Sequence, residues 1–214
     1  MPLLSCFTRR GGGSTHRHGG IMKILLAVPT SRYIENECYV SLYGMTKRGK
    51  VDIIVPGGYS VDVTRNNIAK YALENKYDYI MWVDSDIIVP KDTLVKLLSH
   101  NKDIVSGVYA YKTLGAKQVV AKRFDSEGEY EDLTISEIRE SKKLIKVDGV
   151  GFGCVLTKTE IFDKINYPWF VFTQESGEDI YLCRKAQNAG YEIYLDPTVL
   201  CGHIGTVNYN IKEG

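Results

Sequence analysis

Apolar and polar positions fall in blocks along this chain, and the blocks predict its elements. Lys23 to Val28 is an essentially continuous apolar run stopped by Pro29-Thr30-Ser31, which reads as a buried strand followed by a loop. Val51 to Val55 is a second strand, closed by Pro56-Gly57-Gly58. A helical pattern follows from about Val61 to Glu74, with Ile68, Tyr71 and Ala72 on one face. Tyr79 to Val83 is a third buried strand running into Asp84-Ser85-Asp86. Pro90 marks the start of a helix whose core face is Leu94, Val95, Leu97 and Leu98, and Ile104 to Val108 is a fourth strand. Strands alternating with helices predict an α/β fold: a mixed, mainly parallel sheet with helices on both faces.

The second half is more mixed. Val119 to Phe124 and Lys143 to Val147 read as strands, and the acidic stretch from Asp125 to Glu140 reads as a surface excursion. Val150 to Leu156 is apolar and punctuated by glycine. Glu178 to Asn188 is a helix stopped by Gly190, and Tyr191 to Leu195 is a strand ahead of Pro197. One domain is expected over residues 21–214, behind a disordered leader over residues 1–20. In that leader Gly11-Gly12-Gly13-Ser14 and Gly19-Gly20 flank His16-Arg17-His18, a natural tail or a tag.

Composition narrows the class. The 214 residues are 44% hydrophobic and 25% charged, ordinary for a globular domain that needs neither a disulfide nor a metal to fold. The net charge is +1, and Arg9, Arg10 and Arg17 in the leader leave the body weakly acidic, which argues against nucleic-acid binding. No apolar run approaches the ~18 residues of a membrane span, and the N-terminus lacks the apolar core of a secretory signal. Five widely spaced cysteines form no CxxC pair, as expected of reduced thiols in a cytoplasmic protein.

Several residues could carry chemistry. Asp84-Ser85-Asp86 sits at the carboxyl end of a buried strand, the edge where open α/β sheets place ligands. Two carboxylates there repel unless a cation such as Mn²⁺ or Mg²⁺ joins them; the plainer reading is a strand-ending turn. Ser176-Gly177-Glu178-Asp179 reads as a capping-box-like helix start, or as a general base at Asp179 or Glu178. His203, between Gly202 and Ile204-Gly205, is a candidate metal ligand. Arg65, beside Asn66, could pair with a diphosphate. Tyr109, Tyr111 and Lys112 could flank an acceptor sugar. Gly149-Val150-Gly151-Phe152-Gly153 lacks the features of a phosphate loop and reads as close packing or the small-residue wall of a sugar pocket.

In this order the motifs resemble the GT-A fold of nucleotide-sugar glycosyltransferases, in particular the family 2-like group. The resemblance runs from Lys23 to Gly205. It is carried by Tyr79-Ile80-Met81-Trp82-Val83-Asp84-Ser85-Asp86, by Gly177 to Ala186, and by Gly190 to Ile193 continuing to His203-Ile204-Gly205. It implies a metal at Asp86 and His203, with Asp84 contacting the ribose or reaching the metal through water. It implies a nucleotide lined by Thr30, Ser31 and Arg32, with Arg65 and Ser85 in the same donor site. Asp179, with Glu178 adjacent, takes the place of the catalytic base, and Tyr109, Lys112, Gly151 and Phe152 would line the acceptor or sugar pocket. The implied reaction moves a hexosyl unit from a nucleoside diphosphate-sugar, UDP-sugar foremost, to a hydroxyl of a glycan. The chain could act alone or as one module of a larger glycan-assembly protein. The Gln-x-x-Arg-Trp motif of processive synthases is missing, so a polymerising membrane enzyme is not expected. Rival readings are a silent nucleotide-sugar or glycan-binding module, a sugar-1-phosphate nucleotidyltransferase and a metal-dependent phosphatase.

Overall fold

A computed structural model describes residues 20–125 and 129–205. The leader reading and its His16-Arg17-His18 therefore lie outside the described residues, apart from Gly20. The strands are β1 (Lys23–Ala27), β2 (Lys50–Ile54), β3 (Tyr79–Val83), β4 (Ile87–Ile88), β5 (Ile104–Val108), β6 (Gln118–Phe124), β7 (Tyr130–Thr134), β8 (Ile145–Val147), β9 (Gly149–Val150), β10 (Cys154–Lys158), β11 (Ile193–Leu200) and β12 (Gly202–His203). The helices are α1 (Asn36–Gly44), α2 (Val61–Glu74), α3 (Thr93–Ser99), α4 (Ile135–Glu140), α5 (Glu160–Lys164) and α6 (Glu178–Asn188).

The main sheet has the order β2-β1-β3-β10-β5-β11-β8. Strands β2, β1 and β3 run parallel, as do β5 and β11; β10 and β8 run against their neighbours. The sheet is covered on both faces, so β3 and β5 are buried at every position rather than alternating, with Ser106 the one polar side chain between them. Odd and even residues feed two different cores. Leu25, Ala27, Ile80 and Trp82 pack with Ile68, Ala72, Phe162, Leu182 and Cys183 from α2, α5 and α6. Ile24, Leu26, Met81 and Val83 pack with Cys38, Leu42, Leu94 and Leu97 from α1 and α3. Trp82 anchors the first core: its ring stands edge-on to Phe152, Phe162 and Phe170 at centroid separations of 5.8, 6.1 and 5.5 Å. Its indole N–H donates to Thr157 Oγ1 at 3.0 Å.

Three expectations are corrected. The stretch from Asp125 to Glu140 is not merely an excursion: β7 pairs with β6, and α4 starts on a full capping box between Thr134 and Glu137. β11 does not end before Pro197 but continues to Leu200, the proline falling within a register shift between Leu195 and Leu200. Tyr71 is 42% exposed and so is not on the core face of α2, which is Ile68, Ala69 and Ala72.

Candidate active site

β3 delivers Asp84-Ser85-Asp86 to the carboxyl edge of the sheet. There Pro29, Thr30, Ser31, Tyr59, Val61, Thr64 and the three residues themselves line a cavity of about 180 Å³. Tyr59 and Thr64 also line a larger neighbouring cleft of about 580 Å³, walled by Ile54, Val55, Pro56, Ile68 and Tyr71. Thr64 is 3% exposed, and its hydroxyl has no hydrogen-bond partner among the described residues. Thr30 is fixed by its hydroxyl donating to the Tyr33 carbonyl at 2.6 Å and by a bridge to Gly57. The Ser85 carbonyl accepts from the Glu35 amide at 2.9 Å. Arg32 is exposed beside this edge, outside the residues lining either cavity.

His203 reaches Asp86 through a small antiparallel ribbon. Gly202 and His203 pair with Ile88 and Ile87, and the Ile204 amide donates to the Asp86 carbonyl at 2.9 Å. His203 Nδ1 lies 2.8 Å from the Ala110 carbonyl. A carbonyl only accepts, so Nδ1 carries a proton, and Nε2 faces Asp86 Oδ1 at 3.7 Å. A carboxylate oxygen and an imidazole nitrogen set side by side are suitable ligands for a divalent cation such as Mn²⁺. Lys112 completes the group, its ammonium paired with Asp86 Oδ2. Among the described residues, no group of three or more potential ligands forms a ready metal nest.

Asp84 does not join that group. Its Oδ1 accepts from Arg65 at 2.8 Å, and the same guanidinium pairs with Glu178 Oε1. Arg65 is 3% exposed and lies over the Phe152 ring at 5.6 Å. Its side chain is thus committed to two carboxylates and an aromatic face, not presented to a diphosphate. Burial pushes the carboxyl groups of both Asp84 and Glu178 above the usual carboxylate range even against the pull of Arg65. Glu178 is itself buried, so of the predicted pair Asp179 is the one that retains access to solvent.

Asp179 stands in the first turn of α6, with Oδ1 accepting from the Ile180 amide at 2.7 Å. The N-cap is Gly177, without a side-chain cap, so the capping box expected of Ser176 does not form. Ser176 is drawn instead to Thr173, 3.1 Å between hydroxyl oxygens. A Cβ at Gly177 would come within 2.9 Å of Asp179 Oδ1, so the missing side chain is what lets this carboxylate sit there.

Two predicted pocket residues are packing residues instead. Phe152 is 1% exposed, inside the Trp82 cluster. Tyr109 is 6% exposed; its phenol oxygen accepts from the Gly153 amide at 3.0 Å, and its ring stands edge-on to His203 at 5.2 Å. The glycine run exists to admit that ring: a Cβ at Gly151 would meet the Tyr109 hydroxyl at 2.2 Å, and one at Gly153 the ring at 2.7 Å. Sequence reasoning missed Tyr59 and Thr64, which carry no motif, and the pairing of Lys112 with Asp86.

No family model and no curated protein sequence matches the chain. Solved structures do. A197 from STIV superposes with a TM-score of 0.63 at 22% identity, covering 86% of this chain and 87% of that one. GalNAc-T7, solved with UDP, GalNAc and Mn²⁺, superposes with a TM-score of 0.61 at 12% identity, covering 87% of this chain. The match spans 44% of the GalNAc-T7 chain, less than half its length. The fold is that of the GT-A glycosyltransferases. No helix among the described residues is long and apolar enough to cross a membrane.

Proposed function

We propose that this protein is a metal-dependent glycosyltransferase that moves a hexosyl unit from a nucleoside diphosphate-sugar, UDP-sugar foremost, to a hydroxyl of a glycan acceptor. The observation that carries the reading is a pair of neighbouring cavities, at the ends of β3 and β2, that share Tyr59 and Thr64 in their linings. One is edged by the carboxylates of Asp84 and Asp86, the other is apolar and bears Tyr71, and Thr64, whose hydroxyl has no partner among the described residues, lines both. A ligand with a flat apolar end, a hydroxylated middle and a charged diphosphate matches that sequence of surfaces.

In this reading Thr30, Ser31 and Thr64 hold the nucleoside, while Asp86 and His203 would hold Mn²⁺ or Mg²⁺. That cation would neutralise charge developing on the departing diphosphate. Arg65 keeps Asp84 and Glu178 in fixed positions, tying the donor edge to the start of α6. Asp179, at the head of that helix, takes the proton of the attacking hydroxyl as it is oriented against the anomeric carbon.

The test is a thermal-shift titration with UDP, GDP, CDP and dTDP, each with Mn²⁺, with Mg²⁺ and with chelator. A ligand at 100 times its Kd adds about 2.7 kcal/mol of stability. A metal-dependent shift for one nucleotide, lost in Asp86→Ala, is expected; no shift with any of the four overturns the donor-site reading.

A further inference from the structure

The two carboxylates of Asp84-Ser85-Asp86 have counter-ions of opposite character. Arg65 on Asp84 is locked, its side chain 4% exposed and held on a second carboxylate. Lys112 on Asp86 is loose, its side chain 41% exposed, on the loop that follows β5. That loop also supplies the Ala110 carbonyl that orients His203, so one short segment brings both a ligand and a competitor to the same carboxylate. Among the described residues, Asp86 alone holds the Lys112 ammonium.

We propose that Lys112 is a stand-in cation. It occupies Asp86 in the free protein, yields that carboxylate to a divalent ion when the donor binds, and then pairs with the donor diphosphate. The inference rests on the donor-site reading above. The charges favour an exchange over a permanent lysine. Asp84, Asp86, Glu178 and Asp179 bring four carboxyl groups to this edge, and among the described residues their ion-pair partners are Arg65, Lys112 and His203. A diphosphate arriving at that edge meets residual negative charge unless a further cation enters. Lys112, displaced by that cation, has a long flexible stem and an anionic partner newly within reach.

The test compares the wild-type chain with Lys112→Met and Lys112→Arg. Mn²⁺ affinity without nucleotide is read from the paramagnetic resonance of the free ion, and UDP affinity at saturating Mn²⁺ by calorimetry. Lys112→Met is expected to bind Mn²⁺ alone at least fivefold tighter, because the competitor is gone, and UDP at least fivefold weaker. Lys112→Arg is expected to restore UDP binding to within twofold. If UDP binds the wild type while either affinity is unchanged in Lys112→Met, this inference is overturned and the donor-site reading stands. If the wild type binds no UDP at saturating Mn²⁺, the donor-site reading falls for UDP and this inference falls with it.

Discussion

Arg65→Met tests the electrostatic centre of the molecule. Methionine fills much of the same space beside Phe152, so the change removes charge more than volume. What remains is Glu178, its side chain 8% exposed, and Asp84, 34% exposed, with no guanidinium between them. Breaking a buried ion pair from one side costs about 3–5 kcal/mol. Water screens Asp84, so Glu178 bears most of this and the lower end, about 3 kcal/mol, is expected. For a domain of this size that lowers Tm by roughly 6–12 °C.

The loss depends on pH, and its sign follows from the raised carboxyl groups. A carboxyl that is harder to ionise in the folded state binds more protons there than in the unfolded chain, so stability is full below its unfolded value, near 4, and falls as pH rises through the folded value. Burial already raises both groups with Arg65 present, and removing Arg65 raises them further. The Tm deficit of Arg65→Met is therefore expected to be small near pH 4.5 and to grow toward pH 8, measured by circular dichroism. Adding Glu178→Gln is expected to recover much of it at pH 8. A deficit below about 1 kcal/mol, or one flat with pH, would refute the account of Arg65 as a buried clamp.

Two further substitutions probe the support of the site. Gly151→Ala drives a methyl into the Tyr109 hydroxyl and Val120, at 2.2 and 2.6 Å, and is expected to cost about 1–3 kcal/mol in urea unfolding. Adding Tyr109→Phe should return part of that loss; an unchanged midpoint in Gly151→Ala would remove the packing role given to the glycine. Asn66→Ala strands the Trp169 and Phe170 amides, which donate to Asn66 Oδ1 at 2.9 and 3.2 Å, and removes the amide that donates to the Phe170 carbonyl. A loss of about 2–4 kcal/mol is expected in the same assay, and a loss under about 0.5 kcal/mol would show that this segment does not depend on the clip.

The early half of the fold was legible because its signals are local. The apolar runs of β1 and β3, closed by Pro29 and Asp84, are buried strands as their composition marks, whereas β2, closed by Pro56-Gly57, is a half-exposed edge strand; both α2 and α6 occupy the spans their periodicity marks. α6 is legible from Glu178 to the positive-φ Gly190 beyond its end, yet its cap was misread: Thr173, five residues before the helix, outcompetes the helix for Ser176. The acidic span after Asp125 hides its strand because β7 alternates on an outer three-stranded sheet, where half its positions face water. In the site, the Asp-Ser-Asp edge and His203 announce themselves by residue type and position. The roles of Arg65, Tyr109 and Phe152 do not, since each could serve a ligand or a core. Burial decides between these, and burial is set by partners as distant in sequence as Glu178 is from Arg65.

That separation has a consequence for how the protein comes into being. The contact between Arg65 and Glu178 closes a span of 113 residues, and the β4–β12 ribbon closes one of similar length. Contacts so far apart in sequence form late, because loop-closure entropy is paid before they give anything back. During synthesis β2, β1 and β3 can pair while β5 still waits for β10, which lies between it and β3, while Arg65 still lacks one of its two carboxylates and while Asp86 still lacks its histidine. A chain ending before α6 is therefore expected to leave Arg65 paired with Asp84 alone and Asp86 without His203, so the edge that carries the candidate site is completed only when α6 and β12 dock.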